Sequence, residues 1–307
     1  MKGVSFHPFL TNLKENIMKT KILILLLFIS TLFYTETKAQ NITSKLPEIT
    51  KADTIPKIIL DKAKYRAYYT LEFSNDTTLV QNRTQAQTIL FIGSKYNSFM
   101  DYNAYRKDSV YDALVRKEAK SMEIMSEVMS FGKMAKFAPY ILINYPNKNN
   151  YTFLQSIVSS EKYKYEDKNV KLNWNLDNEE KEIQGYRCKK ATCDYRGRHY
   201  IAWYALDLPI SSGPYVFSGL PGLILEISDS KQHYNFKING FASVKKYDPI
   251  YIGTDKVVQS TRDNVRKAIY NSKADPASAI RSMGNVKVSQ EALAKLKAKP
   301  YNPIELE

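Results

Sequence analysis

The side chains that could do chemistry in this chain are few and poorly grouped. Beyond residue 39 there are two histidines, His199 and His233. That is too few for a dedicated zinc site unless carboxylates complete the ligand set. Ser211 and Ser212 stand near Asp207, but no G-x-S-x-G elbow is present to lift a serine towards a histidine, so spacing assembles no Ser-His-Asp triad. Asp194, Asp207, Glu226 and Asp229 could supply the two carboxylates of a glycoside hydrolase. Nothing in their spacing selects a pair, and surface carboxylates are the ordinary expectation. His233 alternates onto the polar side of its strand and is expected in solvent. The expectation is therefore no catalytic residue, no metal and no cofactor, with the question of an enzyme left open but leaning against.

The cysteines are Cys188 and Cys193 alone, so the chain is not a disulfide scaffold. Five residues apart in an extended strand they would lie roughly 16 Å apart on opposite faces. A disulfide needs Cα atoms within about 7 Å, so bridging them would require a bulge or turn. Two buried free thiols are expected. A C-x-x-x-x-C spacing is also not the C-x-x-C of a redox site.

The elements that must position these residues begin after an N-terminal address. Lys19-Thr20-Lys21 precedes the apolar run Ile22–Ile29, and Thr37-Lys38-Ala39 ends in a small residue before Gln40. This is the three-part pattern of a secretory signal peptide, with a run too short to span a bilayer comfortably. A single N-terminal anchor is the alternative. Residues 1–39 thus read as an upstream extension plus signal peptide, with Met18 as the true start and export to the periplasm or beyond as the destination. No later run is apolar and long enough to cross a membrane. Without residues 1–39 the chain keeps 40 basic against 29 acidic residues. The lysines are scattered rather than blocked, which reads as a soluble basic surface, and export argues against a nucleic-acid partner.

Residues 40–58 are polar and read as a flexible tether, leaving 59–307 as one β-rich domain with a helical tail from about 260. Tyr65–Phe73, Thr88–Gly93 and Tyr96–Met100 read as strands. From Ser109 to Ser130, Leu114, Ala119, Met122, Met125 and Met129 recur at helical intervals, predicting one helix or two short ones whose methionine stripe faces the core. Ile141–Tyr145 and Tyr151–Leu154 form a hairpin. Val170, Leu172, Trp174 and Leu176 alternate on one face of a further strand, ended by a turn at Asp177–Glu180. Gly185–Tyr195 and His199–Ala205 pair around Arg196-Gly197-Arg198. The second of these is apolar on both faces, the mark of a strand between two layers or inside a closed wall. Leu223–Ile227 and His233–Ile238 form another hairpin, and helices follow over Thr261–Asn271, after Asp275-Pro276, and over Gln290–Lys299. The fold class is β-rich α+β: a large, mostly antiparallel curved sheet of eight to ten strands, half-barrel or sandwich-like, with a few helices.

Between the last two hairpins lies the most constrained stretch, Gly213-Pro214-Tyr215-Val216-Phe217-Ser218-Gly219-Leu220-Pro221-Gly222-Leu223-Ile224. Its glycines form neither of the common nucleotide-binding loops. Leu220-Pro221-Gly222-Leu223 suits a type II turn, with proline presetting one φ and Gly222 taking a positive one. Tyr215 and Phe217 are expected to plug against the sheet, so that the stretch locks the following strand in place. A loop that touches a ligand is the alternative.

Together with Gly185-Tyr186-Arg187-Cys188, Ala202-Trp203-Tyr204 and the closing Asn302-Pro303-Ile304-Glu305-Leu306, this stretch resembles the GLPGLI family, exported proteins that take their name from the hexapeptide Gly219–Ile224. The resemblance covers most of the chain beyond Gln40. It implies an envelope or extracellular protein of the Bacteroidetes group with no assigned reaction and no catalytic residue to carry over. Cys188 and Trp203 belong to the pattern; Cys193 does not. A related module opens some bacterial peptide-N-glycosidases, which leans towards glycan binding.

The 23 tyrosines, 13 phenylalanines and two tryptophans could line a wall for sugars or lipids, or could simply pack the sheet. The expected function is a non-enzymatic envelope module that binds a hydrophobic or glycan ligand, or a protein partner. An envelope glycan- or peptide-directed hydrolase and a structural or assembly factor are the alternatives. The ligand reading requires room on the concave face of the sheet.

Overall fold

Period-two alternation of apolar and polar side chains builds one large sheet. The computed structural model describes residues 54–79, 81–157, 162–282 and 288–307, all within one compact unit, Lys51–Glu307. The upstream extension, the signal-peptide pattern and the tether up to residue 53 lie outside the described residues.

The strands are β1 (Lys57–Lys62), β2 (Tyr65–Ser74), β3 (Arg83–Ile92), β4 (Asn97–Asp101), β5 (Tyr140–Ile143), β6 (Tyr151–Ser156) and β7 (Lys162–Asp167), then β8 (Asn175–Ile183), β9 (Tyr186–Tyr195), β10 (Arg198–Ala205), β11 (Leu223–Asp229), β12 (Tyr234–Ser243), β13 (Pro249–Gly253) and β14 (Val257–Gln259). Two helices, α1 (Tyr102–Arg116) and α2 (Ser121–Met134), stand between β4 and β5. Three more follow β14: α3 (Arg262–Ala274), α4 (Pro276–Arg281) and α5 (Gln290–Ala294).

Twelve strands make one sheet in the order β14-β7-β6-β5-β4-β3-β2-β12-β11-β10-β9-β8, antiparallel except at β14–β7. β1 and β13 pair separately, so Lys57 and Ile58, at the end of the expected tether, open a strand. The sheet is curved but not closed into a barrel. Arg196, in the β9–β10 turn, reaches Asp167 of β7 at 3.2 Å, although eight strands lie between β7 and β9 in the sheet order. Only a sheet bent round upon itself brings those two together.

The bend gives the sheet two apolar faces. On β3, Ala86, Leu90 and Ile92 join the large concave core with Phe99, Phe153, Tyr200 and Phe236. Ile89 and Phe91 point the other way, into a smaller cluster with Met100, Leu142, Leu154 and Ile250 beneath Tyr102 and Tyr105 of α1. The buried Asp101 carboxylate ties the helices down. One oxygen caps α1 by accepting from the Asn103 and Ala104 amides. The other accepts from the Lys136 and Phe137 amides at 2.8 and 3.0 Å, where the chain leaves α2.

Four local expectations are corrected. Residues 170–174 join no ladder, yet Val170, Leu172 and Trp174 still pack on the concave core, and Trp174 donates to the Ser218 carbonyl at 2.8 Å. Asp177–Glu180 is not a turn but the middle of β8, where the register slips against β9 and Glu179 pairs with Lys190. The methionine stripe does not face the core: Met122, Met125 and Met129 are 71%, 49% and 55% exposed. The buried side of α2 is carried by Ile124 and Phe131 instead. The last helix stops at Ala294 rather than Lys299. Among the described residues no helix is long and apolar enough to cross a membrane.

Candidate functional site

The stretch between β10 and β11 enters the bowl. Tyr215, Val216, Phe217 and Leu220 are buried. The Phe217 ring sits 4.6 Å from that of Tyr200, and Tyr215 meets Phe137 and Phe153 edge-on. Polar contacts pin the crossing to distant strands. Asn97 donates to Ser212 Oγ at 2.9 Å, and Tyr151 and Ser218 share a hydrogen bond of 3.0 Å. Tyr69 donates to the Ile224 carbonyl at 2.8 Å, which fixes where β11 starts.

The turn chemistry differs from expectation. Gly219, not Gly222, takes the positive φ, at 97°. Gly222 is a glycine because the chain passes against β10: a Cβ there would lie 2.0 Å from the Ala205 carbonyl oxygen. Gly213, Pro214 and Pro221 shape the same crossing, while Leu223 and Ile224 are fully buried. Trp203 lies half-buried on β10, packed against the core, with the Lys181 ammonium 4.4 Å from its ring. Cys188 and Cys193 are both free and buried; opposite Ala205 and Tyr200 respectively, they occupy the two faces of β9. Burial pushes the Cys188 thiol up to about 11 and the Cys193 thiol up to about 12. This crossing adds Tyr215, Val216, Phe217 and Leu220 to the buried side chains of the concave core.

The residues singled out for acid–base or nucleophilic chemistry do not converge. Asp194 and His199 pair at 2.8 Å on an exposed surface. Glu226 pairs with Lys181 at 2.5 Å, and Asp207 is exposed. Ser211 and Ser212 serve the crossing loop, Ser211 by accepting from the Gly219 amide at 3.1 Å. His233 is not in solvent. It is buried beside Arg198, whose Nη1 lies 3.1 Å from His233 Nδ1 and 3.2 Å from Asp229. Strand parity holds there, but the guanidinium and the closing segment cover that side. Burial holds the imidazole below its ordinary range. Among the described residues no group of three or more His, Cys, Asp or Glu is placed to hold a metal ion.

An open site lies on the opposite, convex side. A cleft of about 360 Å³ runs between α1, the residues after α2, β6, and the β13–β14 edge. Its floor is apolar, with Met100, Ala104, Ala138, Leu154 and Val257. A second lobe of about 310 Å³ shares Ile55, Lys107, Asp108, Lys162 and Asp255 with it and adds Tyr111 and Val128. Two ion pairs therefore stand where the lobes meet: Lys162–Asp255 at 2.5 Å and Lys107–Asp108 at 3.5 Å. Tyr140 donates to the Tyr251 carbonyl, and Tyr251 donates to Asp108 at 3.5 Å. Burial raises both phenols above their ordinary range, so they stay protonated donors. Asp112 anchors the entrance by accepting from the Ile55 amide at 2.8 Å and from Lys57 at 2.5 Å. Sequence reasoning missed this cleft. Its polar residues are ordinary lysines, aspartates and tyrosines, with Gln155 and Ser156, drawn from α1, β5, β6, β7, β13 and the loops beside them.

Known proteins resemble this chain only in part. A family model described as "Protein of unknown function (Porph_ging)" matches residues 196–226, from the β9–β10 turn into β11. No curated protein matches the chain. Among solved structures, two crystal forms of PNGF-II align at 17% and 16% identity, with TM-scores of 0.47 and 0.46, over 70% and 69% of this chain. The chain spans about a third of PNGF-II, 34% and 33% of the two chains. An uncharacterized conserved protein from Thermus thermophilus aligns at 9% identity with a TM-score of 0.32, over 64% of this chain and 90% of that one. Likeness at this distance carries no function across.

Proposed function

We propose that this chain is an exported, non-enzymatic envelope protein of the GLPGLI type that binds a small ligand with an apolar body and several hydroxyl groups, as glycans and glycolipids present, in the cleft beside α1. The signal-peptide pattern at Lys19–Ala39 motivates the export. The observation that carries the binding reading is the cleft, whose apolar floor meets two Lys–Asp pairs at the waist. Alternating cationic donors and anionic acceptors at the waist suit hydroxyl groups, which both donate and accept, and Lys136 adds a further cationic donor to the lining. Ala138 lines the cleft from an exposed position, so Ala138→Trp should fill it at little cost to the fold. Native mass spectrometry of protein purified from its own envelope should show a saccharide-bearing adduct on the wild type and none on Ala138→Trp. A wild type that carries no adduct and shows no thermal shift with envelope oligosaccharides rules the reading out.

One observation favours assembly instead: the exposed methionines Met122, Met125 and Met129 on one side of α2. Soft, unbranched apolar side chains left in water are a common docking surface. In-cell cross-linking should then trap one defined protein at α2, and Met125→Lys should abolish that product. The same product from the Met125→Lys protein would discard this reading.

A further inference from the structure

The closing residues cross the open end of the bowl on the concave side, far in character from the cleft and independent of the reading given for it. Most of their polar contacts hold main chain, while Ile304 also packs against the core. Arg198, itself buried, spreads its guanidinium over three consecutive residues. Nη2 donates to Asn302 Oδ1 at 2.6 Å and to the Pro303 carbonyl at 2.5 Å, and Nε donates to the Ile304 carbonyl at 3.0 Å. Tyr200 adds a donor to the Ile304 carbonyl at 3.1 Å and Tyr234 one to the Asn302 carbonyl at 2.6 Å. The Asn302 amide donates onward to the Ser74 carbonyl at 2.9 Å.

Two polar side chains of the segment are read. Besides the Asn302 amide, the Glu305 carboxylate is held by Tyr215 at 2.6 Å and by Arg262 at 3.0 Å, with Tyr195 at 3.4 Å. Both are almost wholly buried, while Pro303 and Ile304 are only partly covered. The donors come from β9, β10, β12, α3 and the crossing loop, so they belong to the body of the fold and not to the segment they hold. Charge-assisted contacts to consecutive carbonyls, plus one carboxylate clamp, are how grooves recognise extended peptides.

We propose that Arg198, Tyr200, Tyr215, Tyr234 and Arg262 form a binding site for an extended peptide with an asparagine and, three residues on, a glutamate. In this chain the site is occupied by its own residues 302–305. The same sequence presented by another molecule competes for it, and covalent linkage gives the resident segment the advantage of a high effective concentration.

The test uses the full-length chain with Asn302→Ala and Glu305→Ala together, which weakens the resident segment and leaves the groove intact. A capped peptide, Asn-Pro-Ile-Glu-Leu-Glu, should raise the melting temperature of this variant in a concentration-dependent way, since a ligand of the folded state alone stabilises it by mass action. A scrambled peptide should not. Adding Arg198→Lys should abolish the rise, because an ammonium cannot reproduce the three-acceptor fork. If the variant shows no cooperative transition on its own, the peptide should restore one, and failure to restore it overturns the proposal. No rise, or an equal rise with the scrambled peptide, overturns the proposal.

Discussion

Tyr215 donates its hydroxyl to Glu305 at 2.6 Å, across 90 residues of sequence. One partner sits on the glycine-rich crossing, at a positive φ of 57°. The other lies in the closing segment, where its second carboxylate oxygen meets Arg262 of α3. The floor and the mouth of the bowl are thus fastened to each other and not only to the sheet. Burial, then the neighbouring Glu305 charge, keeps the phenol protonated well above its ordinary range, so the donor persists at any physiological pH.

Tyr215→Phe keeps the ring and removes that donor. A buried carboxylate that loses a hydrogen bond costs about 1.5–3 kcal/mol. Denaturant unfolding should show a loss of that size with an unchanged slope, because the surface exposed on unfolding stays the same.

Gly222 and Gly132 should respond in opposite directions to the same change. Gly222→Ala places a methyl group against the backbone oxygen of Ala205, where neither side can yield cheaply, and should cost about 3 kcal/mol. Gly132 lies in α2 with nothing within 4 Å of an added Cβ, so Gly132→Ala should gain up to about 1 kcal/mol from helix propensity. Thermal melts of the two variants should move apart.

The concave core and the methionine stripe make a similar contrast. Phe217→Ala opens a cavity beside Tyr195, Tyr200 and Tyr215 and should cost about 3–5 kcal/mol. Met125→Ala, on the exposed side of α2, should stay within about 0.5 kcal/mol of the wild type. Equal effects in equilibrium unfolding would mean that the crossing does not fill the bowl.

His233 should make stability fall on acidification. Its surroundings bury it, and among the charges facing it Asp229 favours the proton while Arg198, Lys231 and Arg83 oppose it; the folded pKa lies below the ordinary 6.5. Below 6.5 the unfolded chain therefore takes up a proton that the folded state still resists. The stabilisation is full above that value and is lost as pH falls towards the folded pKa. Melting temperatures at about pH 7.5 and about pH 5 should differ more for the wild type than for His233→Asn, whose amide oxygen can accept from Arg198 without titrating.

The strands legible in the sequence are those whose alternation serves one buried face against regular neighbours. β2, β9, β10 and the β11–β12 hairpin fall where Tyr65–Phe73, Gly185–Ala205 and Leu223–Ile238 alternate. Differences arise where something distant overrides a local pattern. Trp174 donates to Ser218 outside any ladder, and Asp177–Glu180 stays extended because Lys189 and Lys190 lie across from it. His233 is drawn inside by Arg198 and the closing segment. Met122, Met125 and Met129 keep the helical spacing of a core stripe, but Ile124 and Phe131 take the side that packs. At position 222 the sequence shows that a glycine is needed, and not whether φ or a close approach demands it. The cleft is invisible in the sequence because no single stretch holds more than a few of its walls.

The two thiols of β9 have a consequence of their own. They face opposite sides of a strand that lies one place in from the β8 edge, and burial leaves hardly any thiolate on either. Each sulfur is chemically silent while β9 stays in place, so an alkylating reagent must wait for the strand to part from its neighbours. Labelling at Cys193 then times the parting of β9 beside Tyr200 and labelling at Cys188 that beside Ala205: two clocks, set back to back in a single strand.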